Sequence, residues 1–467
     1  MKKLKWIAGF LAMLMLLTSF AACNTGSDDD LDDDDDEIVD WDDEDDKDDK
    51  DDKDDKETEK DTEKETQKET VKPSGGDDPE TSPESTTPDT DGESNKETEP
   101  EADPAEPKLT DLEKMVIPFW KLDTMYQECA TFHVRQDGSI TAKLLFKPTR
   151  IIAVEDWSLK VTYVEGKDYT WDGKSNTLTW KSGSSIPYFK LNEEKGQDEN
   201  GNKVVPSYPE YDANGLTTLG NAIYNNGPFV YEKQINVTYE YEAGSWTGHK
   251  STYQGNKITN TINKIKEGEA VNLHFYGDSI FAGCDGSSYG KRDPRQPGFA
   301  TLIRNYLREK YDNKNVVVVN GSMPGQGSAC GLENVDAKVV NHTRAPDMVF
   351  LSWGMNDQCS ATETANNMQQ MINKIRAKHP DCDVVVVAPL VPNANAGFLI
   401  HQDELPTAFK QLADNNERVV FVNVFDVQNK MMEVKDYISL SGNNINHPND
   451  FMIRIYAQQI LSAMERM

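Results

Sequence analysis

Four short blocks in this 467-residue chain carry side chains suited to acyl chemistry. They are Gly277-Asp278-Ser279, Asn320-Gly321-Ser322-Met323-Pro324-Gly325, Gly354-Met355-Asn356-Asp357 and Asn444-Ile445-Asn446-His447-Pro448. A serine hydroxyl is a weak nucleophile until an adjacent base takes its proton. His447 is the candidate base for Ser279. The oxyanion that forms on an attacked ester needs preorganised donors. The Ser279 N–H, the Gly325 N–H and the Asn356 side chain are the candidates. Each residue alone has an ordinary explanation as a turn, a helix cap or a buried histidine. Their joint occurrence, in this order and at the ends of expected elements, favours chemistry.

The elements that must position them alternate in type. Val271–Tyr276, Val316–Val319, Asp347–Ser352, Asp383–Ala388 and Arg418–Val424 are apolar runs with strand composition. Helical patterns lie between them at Thr301–Tyr311, after the capping sequence Ser360-Ala-Thr-Glu363, and at Leu405–Asn415. A last amphipathic helix contains Met452, Ile455, Tyr456 and Ile460. Buried strands alternating with helices predict an α/β domain over residues 251–467 with a doubly wound parallel sheet. With right-handed crossovers the expected strand order is 2-1-3-4-5. All four blocks then fall at the carboxyl edge, where open α/β sheets place their sites.

Residues 108–250 read differently. His133–Phe146, Ile151–Val154, Lys160–Val164 and Lys233–Glu242 are β-rich, and Tyr169–Trp180 is a hairpin pattern around Asp172-Gly173. Short strands without helical spacers predict a β-sandwich, jelly-roll-like domain. Residues 24–107 are a low-complexity acidic segment with 39 acidic residues and 9 lysines between Asn24 and Glu106. Such a segment has too little apolar surface to offset the entropy of ordering, so a disordered tether is expected. It accounts for most of the net charge of −32, and no basic stripe suggests a nucleic-acid partner. Residues 1–23 combine Lys2, Lys3 and Lys5 with an apolar core, and Ala21-Ala22 precede Cys23. This resembles a bacterial lipoprotein signal, which implies lipidation at Cys23 and attachment to the outer face of the cell membrane through that anchor alone. The other five cysteines show no metal-ligand spacing, so no metal or other cofactor is expected.

Taken together, the four blocks resemble those of SGNH (GDSL-type) hydrolases over about Ile258 to the C-terminus. The resemblance implies a flavodoxin-like sheet and metal-free ester hydrolysis, with Ser279 as nucleophile, His447 as base, and Ser279, Gly325 and Asn356 in the oxyanion hole. The chain departs from the family where an aspartate usually stands three residues before the histidine; here that residue is Asn444. The side-chain carbonyl of Asn444, or a backbone carbonyl, is then the expected partner of the imidazole in a Ser–His dyad. A β domain ahead of the hydrolase is similar to carbohydrate esterase family two, which deacetylates polysaccharides. That points to an acylated polysaccharide or oligosaccharide substrate. A lipase, thioesterase or arylesterase is the alternative within enzymes, and a glycan-binding protein on an esterase scaffold the alternative outside them. Trp246 and Trp353 are either sugar platforms or core residues.

Overall fold

The computed structural model describes residues 109–467. The signal segment with Cys23 and the acidic tether 24–107 lie outside the described residues.

Helix α1 (Asp111–Val116) starts at a reciprocal capping box between Thr110 and Glu113. Strands β1 (Thr124–Val134), β2 (Ile140–Lys143), β3 (Pro148–Asp156), β4 (Tyr169–Trp171), β5 (Thr177–Trp180), β6 (Tyr188–Phe189), β7 (Thr217–Leu219) and β8 (Ala222–Tyr224) follow. The one-turn helix α2 (Pro228–Tyr231) then leads into β9 (Gln234–Tyr241). The strands pair in the order β3-β9-β1-β2-β5-β4, with β6 also on β1 and β7–β8 as a separate hairpin. The long β1 pairs with β9 through its first part and with β2 through His133 and Val134. One hydrogen-bonded path therefore runs through what the sequence presents as a sandwich. The expected strand at Lys160–Val164 reduces to an isolated bridge between Glu155 and Thr162. Its backbone is diverted: the Lys160 and Val161 N–H groups donate to the Asp156 carboxylate, at 2.9 and 3.1 Å.

The second module is built from α3 (Thr259–Lys266), β10 (Val271–Gly277), α4 (Ser279–Ala282), α5 (Phe299–Tyr311), β11 (Val316–Asn320), α6 (Ser328–Val335) and β12 (Met348–Ser352). It continues with α7 (Ala361–Lys378), β13 (Asp383–Ala388), α8 (Leu405–Asp414), β14 (Val419–Asn423), α9 (Val424–Met431) and α10 (Asp450–Met464). The sheet is parallel throughout, in the order β11-β10-β12-β13-β14. This is the expected 2-1-3-4-5 arrangement. Every residue of β12 and β13 is buried, as both faces of such a sheet are covered by helices. Phe275 and Phe350, paired across β10 and β12, stack with ring centroids 4.2 Å apart. The fifth strand stops one residue early, because the Asn423 side chain accepts from the Asp426 N–H and caps α9.

Leu109–Met467 pack as one unit, and a single apolar core takes residues from both modules. Polar contacts fix how the two modules meet. Glu128 of β1 and Lys435 form a buried ion pair, and Glu128 also accepts from the Tyr239 hydroxyl and the Leu145 N–H. The β-bulge that follows Met125 holds Gln127 in a left-handed conformation, and Arg454 of α10 donates to its side chain and carbonyl. Gln234 of β9 donates to the carbonyls of Ile438 (3.0 Å) and Ser441 (2.8 Å). Removing one partner of the Glu128–Lys435 pair leaves an uncompensated buried charge and costs about 3–5 kcal/mol. The β module therefore grips the segment that leads to His447.

Candidate active site

Gly277 ends β10 because nothing larger fits there. A Cβ on it would lie 2.4 Å from the Ser352 carbonyl oxygen. Asp278 is extended, and its carboxylate accepts from the Ile280 N–H at 3.0 Å, which caps α4 and lifts Ser279 onto the first helical position. The turn of α4 ends at Gly283 in the left-handed region (φ +88°), and the Cys284 N–H donates back to the Ser279 carbonyl. The chain then doubles over the serine and presents Asp285, itself left-handed at φ +64°.

His447 arrives from the opposite direction, on the loop ahead of α10. A single side-chain oxygen organises that loop: Asn443 Oδ1 accepts from the N–H groups of Ile445, Asn446 and His447, at 2.9, 3.0 and 3.2 Å. The Ser441 hydroxyl and the Gly442 N–H both donate to the His447 carbonyl. Gly442 also leaves room for the aspartate, since a Cβ on it would stand 2.6 Å from Asp285 Cβ.

These supports bring three side chains into line. His447 Nε2 is 2.8 Å from Ser279 Oγ, and His447 Nδ1 is 2.6 Å from Asp285 Oδ2. All three residues are buried, with Ser279 only 1% exposed. A serine, an imidazole and a carboxylate in this order can pass a proton from the hydroxyl to the ring and stabilise the resulting imidazolium. The partner of the imidazole is a carboxylate, where an amide or backbone carbonyl was expected. Asn444 does not contact the imidazole. It sits in the left-handed region (φ +65°), which asparagine tolerates, and its polar groups are engaged elsewhere. Its amide donates to the carbonyls of Ile223 (3.1 Å) and Glu194 (3.3 Å), and its side-chain oxygen accepts from Asn393. Asn444 thus fastens the histidine's loop to the β module. The expected dyad with Asn444 or a backbone carbonyl gives way to a Ser–His–Asp arrangement. The only signal for Asp285 in the sequence is an acidic residue in a Gly/Ser-rich stretch just after the serine.

The Asp285 loop is itself anchored. Arg292 donates to the Asp285 carbonyl at 2.6 Å. The Ser287 N–H donates to Asp450 of α10 at 2.8 Å. Burial raises the Asp450 carboxyl, with the hydrogen bonds from Ser287 opposing the shift. Burial likewise pushes Asp278 up to about 7, against the Ile280 N–H and the nearby His447.

The other two blocks flank β10 as expected. The Gly321 and Met323 N–H groups donate to the carbonyls of Phe275 and Gly277, so the loop after β11 lies along the end of β10. Gly325 in that loop has φ +76°. Asn356, past the end of β12, donates through its amide to the Gln326 carbonyl at 3.1 Å. An amide nitrogen carries two hydrogens, so one remains for an oxyanion. Asp357 accepts from the Ser328 N–H at the start of α6, which ties the Asn356 block to the Gly325 loop. Trp246 and Trp353 are both buried, which removes them as sugar platforms.

Residues 275–452 match the family model of the GDSL-like Lipase/Acylhydrolase family. The chain carries a GDSL-like lipase/acylhydrolase domain. No curated protein matches the sequence. Solved structures similar to it include a two-domain esterase active on acetylated mannans, co-crystallised with mannopentaose (17% identity, TM-score 0.37). The match covers 45% of this chain and 53% of that one, so the chain spans about half of that esterase's length. A catalytic mutant of an acetylxylan esterase from Geobacillus stearothermophilus is similar at 17% identity and TM-score 0.35, over 42% of this chain and 95% of that one. A lipolytic G-D-S-L family member from Veillonella parvula is similar at 18% identity and TM-score 0.33, over 42% and 100%. In this GDSL-like domain the matched span includes Ser279, Asp285, Gly325, Asn356 and His447.

Proposed function

We propose that the protein is a serine esterase that removes small acyl groups, acetyl foremost, from carbohydrate. The observation that carries the reading is the hydrogen-bonded line from Ser279 through His447 to Asp285. In the first step His447 Nε2 accepts the Ser279 hydroxyl proton as Oγ attacks the ester carbonyl. Asp285 accepts from Nδ1–H, fixes the tautomer and stabilises the imidazolium. The Ser279 and Gly325 N–H groups and the Asn356 amide receive the oxyanion. His447 then returns its proton to the leaving sugar hydroxyl, and an acyl-serine remains. A water deprotonated by the same imidazole releases the acid.

Access to the serine favours a small acyl group. A serine only 1% exposed, beside a histidine only 3% exposed, leaves little room for a long chain. This favours acetyl over the acyl chains of a lipase. The architecture, a β module ahead of the hydrolase domain, resembles carbohydrate esterase family two and supports a carbohydrate substrate. We also propose that the enzyme works on the outer face of the cell membrane. The basic and apolar run before Cys23 supports a lipid anchor there, and the acidic segment 24–107 supports a spacer.

The test is acetate release from 4-nitrophenyl acetate and from a panel of acetylated glycans, by wild type and Ser279→Ala. Release that depends on Ser279 supports the reading. A wild-type protein inert on all of these esters overturns it in favour of glycan binding without catalysis.

A further inference from the structure

We infer that a polar cavity between the β module and the histidine's loop is a subsite for one neutral sugar residue of the substrate. The inference rests on the carbohydrate-esterase reading and adds a location. The cavity measures about 280 Å³. That is just under the ~300–1,000 Å³ of ordinary small-molecule pockets, so it suits one ring and not a chain. Arg135, Gln136 and Asn192 line it from the β module, Asn395 from the segment after β13, and Asp436 and Asn444 from the approach to His447. Asn444 is three residues before the imidazole, so an occupant sits against the loop that carries the base.

The chemistry of the walls selects the ligand. Ordinary ligand pockets are mostly apolar with a few polar groups. Here six carboxamides line the cavity; Asn393 and Asn444 hold each other, while Gln136, Asn221 and Asn395 can offer both donors and an acceptor, as sugar hydroxyls require in return. The charges at the cavity cancel. Arg135 is paired with Asp436 at 2.8 Å, and Lys195 lies 3.9 Å from Glu194. Burial holds the lining His133 down to about 4, so it is neutral at physiological pH. Arg135 has no fork left for an anion, since Nη1 and Nη2 both donate to Asp436 while Nε and Nη2 donate to the side chain and carbonyl of Thr141. A phosphate or carboxylate therefore finds no free cation pair, whereas a neutral polyol finds a ring of rigid partners. The site is also preorganised: Asn444 is fixed by Asn393, and Asp436 by Arg135.

Asn395→Trp fills the cavity from an exposed position, and Gln136→Ala removes a wall group without adding bulk. In the full chain, Asn395→Trp is expected to raise KM for acetylated manno- or xylo-oligosaccharides about tenfold, one contact's worth of affinity. Gln136→Ala should raise it about threefold. Turnover of 4-nitrophenyl acetate should be unchanged in both. Calorimetry with unacetylated oligosaccharide on the Ser279→Ala protein should show binding that Asn395→Trp abolishes. The subsite is overturned if KM for oligosaccharide is unchanged, if both esters lose activity in parallel, or if inorganic phosphate is the ligand that Asn395→Trp displaces. Loss of all esterase activity in wild type with the calorimetric binding intact would instead strike the catalytic reading and leave the subsite standing.

Discussion

Asp285 Oδ2 stands 2.6 Å from His447 Nδ1, and Asp285 follows Ser279 by six residues in the chain. The carboxylate and the serine that flank the imidazole therefore share one short segment past β10, and only the histidine is brought from afar. In the proposed mechanism Asp285 then takes the orienting role, and Asn444 holds the loop. Asp285→Asn should keep the fold and lower kcat about 10³–10⁴-fold, because an amide that donates to the ring favours the wrong tautomer. Steady-state kinetics on 4-nitrophenyl acetate decide it, and a change smaller than tenfold would remove Asp285 from the mechanism.

Asn444→Asp gives the complementary result. If Asn444 oriented the imidazole, an aspartate there would help. In the observed position it would face the carbonyls of Glu194 and Ile223 with no donor. We expect a loss of stability of about 1–3 kcal/mol in urea unfolding, the usual cost of unmade buried hydrogen bonds. No gain in kcat should accompany it.

Asn356→Ala should reduce kcat about 10²–10³-fold with little change in KM, as removal of one oxyanion donor does. The circular dichroism spectrum should stay native, because Asp357 and not Asn356 holds the start of α6. A rise in KM alone would mean that Asn356 binds the ground state.

Asp278 predicts a pH signature in stability. Burial raises its carboxyl from 3.8 to about 7 in the folded protein. The folded state thus holds the proton more tightly than the unfolded chain. The resulting contribution to stability is full below about pH 4, declines as pH rises, and is gone above about pH 7. Asp278→Asn removes the titration. Its melting temperature relative to wild type should therefore be higher at pH 8 than at pH 5. An equal difference at both values would show that Asp278 does not titrate across this range.

Gln234 tests the grip of the β module on the histidine's loop. Gln234→Ala frees two buried carbonyls, those of Ile438 and Ser441. Because Ser441 in turn bonds the His447 carbonyl, kcat should fall while KM for 4-nitrophenyl acetate stays constant. Unchanged kcat would reduce Gln234 to a purely structural contact.

Much of this was legible in the residues. The central strands β12 and β13 are buried throughout and read as apolar runs, and strand–helix alternation with right-handed crossovers leads to the observed strand order. Ser279, Gly325 and Asn356 lie just past strand ends and His447 on the loop before the last helix, where local turn chemistry marks them. Asp285 was not legible, because its part depends on a tertiary fact: the left-handed turn at Gly283 and Asp285 folds the loop back over the serine. Asn444 misled for the same reason in reverse. Its position in the chain matches an orienting residue, but a positive φ and a loop from the β module take its side chain away. The strand expected at Lys160–Val164 failed because composition cannot reveal that Asp156 captures its N–H groups.

The chain around the capped helix α1 is tied to the far end of the sequence. Gln458 of α10 bonds both the Phe119 N–H (3.2 Å) and the Met115 carbonyl (3.0 Å), so the first described turn of chain is seated on the last helix. A clone begun at Ser251, where the α/β pattern starts, would expose that face of α10 and leave the Glu128 partner of Lys435 behind. The shortest fragment worth expressing begins before Thr110. The parallel sheet, though it looks self-sufficient, is the interior of a larger folding unit.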